Sequence, residues 1–228
     1  MTYSPSLVRL RRGKSRGFSL IEMLLVLSIM ISLSAGAMFG LGSLLRSTNF
    51  NHSVGLLGLA IEQSQNYARA HNTHVWVALR KVPQGLELAS FYSLTGSKED
   101  FSDQSTPRPL HPLSKATIYQ GIDILGTFPG FTPGTNSRML EEQQAGLKWT
   151  RAGQVVEYKW ILRFSPDSSV VVEPEGTALS SSVYLAMAPA GVDSSMVSAR
   201  GVLLVIPGLG GNTHINRAQI VARPASAR

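Results

Sequence analysis

Cysteine is absent from this chain of 228 residues, and acidic residues are absent from its first 17 positions. The first absence excludes disulfide bonds, thiolate metal sites and cysteine nucleophiles, so packing alone must stabilise the fold. The second absence explains most of the net charge of +7, because five basic residues lie in residues 1–17 and the remaining side chains sum to +2. Most of the basicity therefore indicates membrane topology and not a binding surface.

A long uncharged run follows this basic segment. Residues 23–45 are 23 consecutive positions without Asp, Glu, Lys or Arg, which exceeds the roughly 20 residues that a helix needs to cross a bilayer. By the positive-inside rule, residues 1–17 are predicted to be cytoplasmic and the chain after residue 45 to lie outside. We therefore predict a single membrane crossing followed by one modest globular domain.

One carboxylate, Glu22, stands just before the uncharged run. A charged side chain costs about 2.5 kcal/mol or more at the bilayer centre unless it is paired. We therefore predict that Glu22 is paired with another group. Two other interpretations remain open. One is a secretory signal cleaved near Ala35-Gly36-Ala37, although such signals have an apolar region of only about 7–15 residues. The other is a plain uncleaved anchor.

The amino-terminal residues resemble a type IV prepilin or pseudopilin signal. The segment Gly17-Phe18-Ser19-Leu20-Ile21-Glu22 lies between a basic leader and a long apolar run, as that signal does. The resemblance implies that a prepilin peptidase cuts between Gly17 and Phe18 and methylates the new amino terminus at Phe18. It also implies that Glu22 attracts the amino terminus of a neighbouring subunit inside a filament.

Periodicity predicts the fold of the remaining chain. Apolar and small residues recur at three- and four-residue steps from residue 54 to residue 68, which predicts an amphipathic helix that ends near residues 71–73. Strand patterns and turn signals follow. The predicted strands are 75–79, 86–94, 116–125, 155–164, 169–173, 183–188, 201–206 and 213–215, with long loops at 95–114 and 126–135.

The predicted fold class is α+β. A long amino-terminal helix, with a membrane half and an amphipathic half, packs on an antiparallel β-sheet or two-sheet domain, as in pilins. The predicted division is a leader at 1–17, a transmembrane and assembly helix at 18–45, its amphipathic continuation at 46–72, and a periplasmic β-rich domain at 73–228.

Two later segments resemble the GspH/FimT group of minor pseudopilins. Phe164-Ser165-Pro166-Asp167 resembles its Phe-x-Pro-Asp-Gly turn, with Ser168 in place of the glycine, and residues 202–211 resemble its closing strand and glycine turn. The passage over residues 67–75 is similar to the Verru-Chthon cassette protein D family. Many major pilins close a C-terminal loop with a disulfide, which this chain cannot form.

The resemblance implies a structural subunit of a type II secretion-like pseudopilus or a type IV pilus. Its implied partners are a prepilin peptidase, other pilin or pseudopilin subunits and an inner-membrane assembly platform. The implied location is the inner membrane, crossed once, with the leader cytoplasmic and the C-terminal domain periplasmic. From there the subunit can be extracted into a periplasmic filament.

Two alternatives belong to other classes. Some relatives in the FimT branch capture DNA through a basic C-terminal region, and Arg217, Arg223 and Arg228 lie in the last twelve residues without an acid. These arginines are candidate nucleic-acid contacts, although a solvated tail is the simpler interpretation. The remaining alternative is a signal-anchored membrane protein that never assembles.

Catalytic patterns are weak in this sequence. The neighbouring acids Glu99-Asp100 and Glu141-Glu142 point apart on a strand and do not face each other on a helix. His71 and His74 lack a third metal ligand, and the three tryptophans, Trp76, Trp149 and Trp160, suit a sheet core better than a stacking platform. We predict no catalytic residues, no metal site, no cofactor and no enzyme activity.

Overall fold

The computed structural model describes residues 19–101, 109–144, 146–173, 181–191, 200–208 and 213–216, apart from the side chains of residues 36–47 and Asn216. The chain divides into two compact units, Met1–Leu44 and Leu45–Arg228. One α-helix, α1, spans Leu20–Ala70 and contributes residues to both units. A 3-10 turn covers Lys98–Phe101.

Thirteen strands follow α1 in the described parts of the chain. They are β1 Val75–Val82, β2 Gly85–Ser93, β3 Leu110–Pro112, β4 Thr117–Gln120, β5 Ile122–Leu125, β6 Ser137–Met139, β7 Leu147–Arg151, β8 Gln154–Tyr158, β9 Trp160–Phe164, β10 Val170–Val172, β11 Ser182–Pro189, β12 Val202–Pro207 and β13 His214–Asn216.

The strands form two sheets and a separate hairpin. Sheet A has the order β10-β9-β1-β2-β3, with β4 also paired to β2. Sheet B has the order β13-β12-β11-β5, and β6 pairs in parallel with β11. Within the described residues, strands β7 and β8 pair only with each other. All the other pairings are antiparallel, so the fold class is α+β, as predicted.

The amphipathic part of α1 packs into the main core. Val54, Leu57, Ile61 and Ala68 are all buried there, as their spacing predicts, together with inner-face residues of both sheets. Side chains three and four residues apart lie on one face of a helix, so this face is the one removed from water. Ser64, on the same face, is also buried, and its hydroxyl lies 3.0 Å from that of Ser90 on β2.

The carboxyl end of α1 stops at a left-handed residue. Asn72 has a φ of 49°, and the backbone N–H of Thr73 donates to the carbonyl of Ala68 at 3.1 Å. The N–H of Asn72 donates to the carbonyl of Arg69 at 3.4 Å. This is a Schellman motif, in which asparagine takes the place that glycine more often fills. The helix therefore ends where the sequence predicts it.

A buried carboxylate ties the β7–β8 hairpin to the outer face of sheet A. Glu87 on β2 is almost fully buried, and its Oε2 accepts the Nε of Arg80 at 2.6 Å. Its Oε1 accepts Nη1 of Arg151, on the hairpin, also at 2.6 Å. Apolar contacts between Phe91 of sheet A and Trp149 and Tyr158 of the hairpin complete the attachment.

Several strand predictions need correction. The strand predicted at 116–125 is two strands, β4 and β5, in different sheets, because Gly121 between them has a φ of 72°. The strand predicted at 155–164 breaks at Lys159, whose N–H donates to the carbonyl of Leu79, so β8 and β9 also belong to different sheets. The loop predicted at 95–114 contains the 3-10 turn and β3, and β7 was not predicted.

Candidate processing and assembly segment

The helix α1 begins with a reciprocal cap. Glu22 Oε2 accepts the backbone N–H of Ser19 at 2.9 Å, and Ser19 Oγ accepts the backbone N–H of Ile21 at 3.4 Å. Ser19 and Glu22 are three residues apart, which is the spacing of a capping box at a helix amino terminus. A negative charge in the first helical turn is also favoured by the helix dipole. Sequence reasoning missed this role, although the Ser-x-x-Glu spacing is its signature.

The cap leaves part of the carboxylate available. An ionised carboxylate offers about four acceptor positions on its two oxygens. Only Oε2 of Glu22 makes a hydrogen bond with the described residues. The cap also holds the carboxylate at the amino-terminal end of the helix, close in sequence to the predicted cut after Gly17. Glu22 can therefore cap its own helix and still accept a hydrogen bond from a donor on another chain.

The helix that follows the cap is apolar on all sides. From Leu20 to Leu33, eleven large apolar side chains are exposed, from 43% at Val26 to 79% at Leu20. Because they include the successive positions 23–27, they cannot share one face of a helix. A helix that is apolar all round is stable only when lipid or other protein covers it. The exposed side chains are Leu20, Ile21, Met23, Leu24, Leu25, Val26, Leu27, Ile29, Met30, Ile31 and Leu33.

Serine hydroxyls in this segment bond to the helix itself. Ser28 Oγ donates to the carbonyl of Leu25 at 2.9 Å, and Ser32 Oγ donates to the carbonyl of Ser28 at 2.8 Å. Such bonds satisfy a hydroxyl without water. The two serines therefore do not require an aqueous surrounding, which agrees with the apolar character of their neighbours.

No helix in the described parts of the chain is both long enough and apolar enough to cross a membrane. The crossing predicted for residues 23–45 and its orientation stay predictions. Gly17 and Phe18, the predicted cleavage and methylation positions, lie outside the described residues, as do Arg217, Arg223 and Arg228. The processing site and the DNA contact are therefore still sequence-based predictions.

The two acidic pairs do not form paired sites. Asp100 is buried and accepts the hydroxyl of Ser93 at 2.5 Å, whereas its neighbour Glu99 is exposed. Glu142 forms an ion pair with Lys159 at 2.7 Å, and Glu141 lines an open cavity of about 430 Å³ beside Arg138 and Phe131. Among the described residues, no three His, Cys, Asp or Glu side chains are arranged to hold a metal ion.

The two histidines of the His71–His74 pair lie in different surroundings. His71 stacks on Tyr67, with ring centroids 4.1 Å apart. His74 lies beside Trp76, and burial together with the nearby Arg163 lowers its pKa below the usual histidine value. A lowered pKa keeps His74 neutral at pH 7. The structure does not bring these two histidines into one site.

The turn between β9 and β10 contains a residue with left-handed backbone. Ser168, where the GspH/FimT turn has glycine, has a φ of 73°. The N–H of Ser168 donates to the carbonyl of Ser165 at 2.9 Å, and the N–H of Ser169 donates to Asp167 Oδ1 at 3.0 Å. Hydrogen bonds that the backbone and the side chain of Ser169 donate to Asp167 lower the pKa of Asp167 below the usual aspartate value. The serine therefore adopts the left-handed conformation that glycine adopts without strain.

These features define a class: an α+β protein whose first helix is capped by a glutamate and exposes apolar side chains on all sides. Residues 12–38 match the family model described as the prokaryotic N-terminal methylation motif. The chain thus carries a type IV pilin-like prepilin signal, which indicates processing by a prepilin peptidase in a pilin-type assembly context. No curated protein and no solved structure matches the chain.

Proposed function

We propose that this chain is a minor pilin or pseudopilin of the GspH/FimT type. A prepilin peptidase cuts it between Gly17 and Phe18 and methylates Phe18. The mature chain then assembles into a type II secretion-like pseudopilus or a type IV pilus. Its role is structural and not catalytic. The observation that carries the proposal is the apolar segment of α1, which is exposed on all sides and lies within the residues that match the N-terminal methylation motif.

In this function, two different surroundings keep the exposed apolar segment away from water. Before assembly, lipid of the inner membrane surrounds residues 23–45, with the basic leader held on the cytoplasmic side. After assembly, the same side chains pack against the helices of neighbouring subunits. Both environments exclude water, so the hydrophobic contribution is kept when the subunit passes from one to the other. The β-rich domain remains on the periplasmic side throughout.

Glu22 supplies the specificity of assembly in this proposal. In the membrane, the cap on the N–H of Ser19 reduces the cost of holding a carboxylate near lipid. In a filament, the remaining acceptor positions of Glu22 pair with the amino terminus of Phe18 from a neighbouring subunit. Only a subunit in the correct register would satisfy both charges, so incorrect registers leave a buried unpaired charge.

The narrower assignment to the GspH/FimT type rests on the turn and on the end of the chain. The left-handed φ of Ser168 and the capping bond to Asp167 support a turn of the Phe-x-Pro-Asp-Gly kind. Strand β12, which ends at Pro207 and is followed by Gly208, supports the closing strand. The absence of cysteine favours a minor subunit over a disulfide-closed major pilin.

Variants at Gly17 test the proposed processing. The full chain is co-expressed with a prepilin peptidase, and loss of the leader is followed as a mobility shift on a gel. We expect Gly17→Ala to be cut slowly and Gly17→Leu not at all, because the peptidase site accepts only a small side chain before the cut. Ser4→Leu, in the same leader, is the matched control and should be cut as the parent chain is. Cleavage of Gly17→Leu at the parental rate would overturn the proposal.

A further inference from the structure

The 3-10 turn is tied to sheet A through contacts that lie beside His74. Phe101 of the turn stacks on the fully buried ring of Trp76, with ring centroids 6.0 Å apart. The carboxylate of Asp100, also in the turn, accepts the hydroxyl of Ser93 on β2 at 2.5 Å. The backbone N–H of Ser93 in turn donates to the carbonyl of His74 at 2.9 Å. The attachment of the turn therefore converges on His74, the residue just before β1.

The side chain of His74 lies among charged groups of both signs. Within the described residues, the charges that act on it are those of Arg163 on β9, Asp167 in the β9–β10 turn, and Lys98 and Asp100 in the 3-10 turn. The Nδ1 atom of His74 is shielded from solvent, so a positive charge on the ring would be poorly hydrated. Burial and the nearby Arg163 outweigh the two carboxylates, and the pKa of His74 is therefore lowered.

The lowered pKa of His74 couples the fold to pH. An unfolded histidine takes up a proton near about pH 6.5, whereas the fold resists protonation of His74. The stability that neutral His74 contributes is therefore complete above about pH 6.5 and is lost as the pH falls below that value. Glu173, which pairs with Arg163 at 2.9 Å, has the opposite effect. Burial raises the pKa of Glu173, so its protonation favours the folded state, and a loss of stability in acid cannot come from it.

We propose that His74 is an acid-sensitive switch that releases the 3-10 turn from sheet A. When its ring takes up a proton, His74 repels both Arg163 and Lys98. Arg163 is buried and held by Glu173, whereas Lys98 is exposed and belongs to a turn of only four residues. The turn is therefore the part that yields, and its departure uncovers Trp76. This switch does not depend on the processing of the amino terminus.

Hydrogen–deuterium exchange of the full-length protein in detergent tests the switch. Exchange of the peptide that covers residues 94–101 is measured at about pH 7.5 and about pH 5.5, on either side of the usual histidine pKa. The result is expressed as a protection factor, which corrects for the effect of pH on the chemical exchange rate. We expect protection to fall on acidification by more than about twofold, and by no more than about tenfold for each pH unit, the limit set by uptake of one proton. His74→Gln, which keeps a neutral polar side chain, should abolish this fall.

The chain provides a matched control in His71→Gln. His71 is an exposed histidine that stacks on Tyr67, so this variant should show the same fall as the parent. A parent protection factor that does not change with pH overturns the proposal. An equal fall in His74→Gln, or a fall that His71→Gln also abolishes, overturns it as well. If His74→Gln does not fold, Lys98→Gln decides: loss of this exposed cation should reduce the fall, and a fall as large as in the parent would contradict the switch.

Discussion

The two roles assigned to Glu22 can be separated by two substitutions. Glutamine at this position keeps a side-chain oxygen that can accept the N–H of Ser19, because a capping box works with Glu or Gln. It removes the negative charge that the proposed contact with a neighbouring amino terminus requires. Glu22→Ala removes both the cap and the charge. The comparison of Glu22→Gln with Glu22→Ala therefore isolates the contribution of the charge.

The two contributions differ enough to be distinguished. Loss of a helix cap costs about 1 kcal/mol. Loss of one partner of a buried ion pair costs about 3–5 kcal/mol, because the other charge is left unpaired. At about 1.4 kcal/mol for each factor of ten, we expect Glu22→Gln to lower incorporation by roughly 100-fold to 4,000-fold. Glu22→Ala should lower it by roughly a further factor of five.

The assay measures the fraction of subunit in sheared filaments relative to the fraction in membranes, in cells that express the peptidase and partner subunits. Ser28→Ala is the matched control, because it removes a polar side chain from the same segment but only a hydroxyl bond to Leu25. It should incorporate as the parent chain does. If Glu22→Gln also incorporates normally, Glu22 acts only as a helix cap and the charge-pairing account is wrong.

Three further predictions concern the β-rich domain. Glu87→Gln should lower the free energy of unfolding, measured in urea, by about 2–3 kcal/mol, because two half-exposed arginines lose a buried charged partner. The control Glu157→Gln changes an exposed residue and should alter this free energy by less than about 0.5 kcal/mol. Ser168→Gly should raise the free energy of unfolding by about 1 kcal/mol, or Tm by roughly 2–4 °C, because glycine adopts the left-handed backbone of this position without strain. An unchanged or lower Tm would argue against strain at Ser168. Asp167→Asn should be less stable than the parent at pH 7, because the lowered pKa of Asp167 shows that the fold favours its ionised form. The difference in free energy of unfolding between the two proteins should shrink as the pH falls below about 4. A difference that does not depend on pH would contradict this.

The helix was predictable from the sequence because its pattern is local. Val54, Leu57 and Ile61 repeat with the helical period, and all three are buried. The end of the helix follows from Asn72, a residue type that tolerates left-handed backbone. The strands were harder. Residues 155–164 are β-prone throughout, and nothing in their period shows that the chain changes sheets at Lys159.

The missed features depend on contacts between distant residues. Strand β7 is short and partly charged, and it is held by Arg151 bonding to Glu87, 64 residues away in sequence. The burial of Gln65, a polar residue on α1, is visible only in the structure, because polar residues on a helix usually face water. The cap by Glu22, by contrast, is a local feature, because Ser19 and Glu22 have the three-residue spacing of a capping box.

Mass spectrometry of the amino-terminal peptide tests the central claim most directly. The full chain is co-expressed with a prepilin peptidase, purified from membranes and digested, and the first residue and its modification are read from fragment ions. The account predicts a chain that begins at Phe18 with a methylated amino group. A chain that still begins at Met1, or one cut near Met38 as a secretory signal would be, would contradict it.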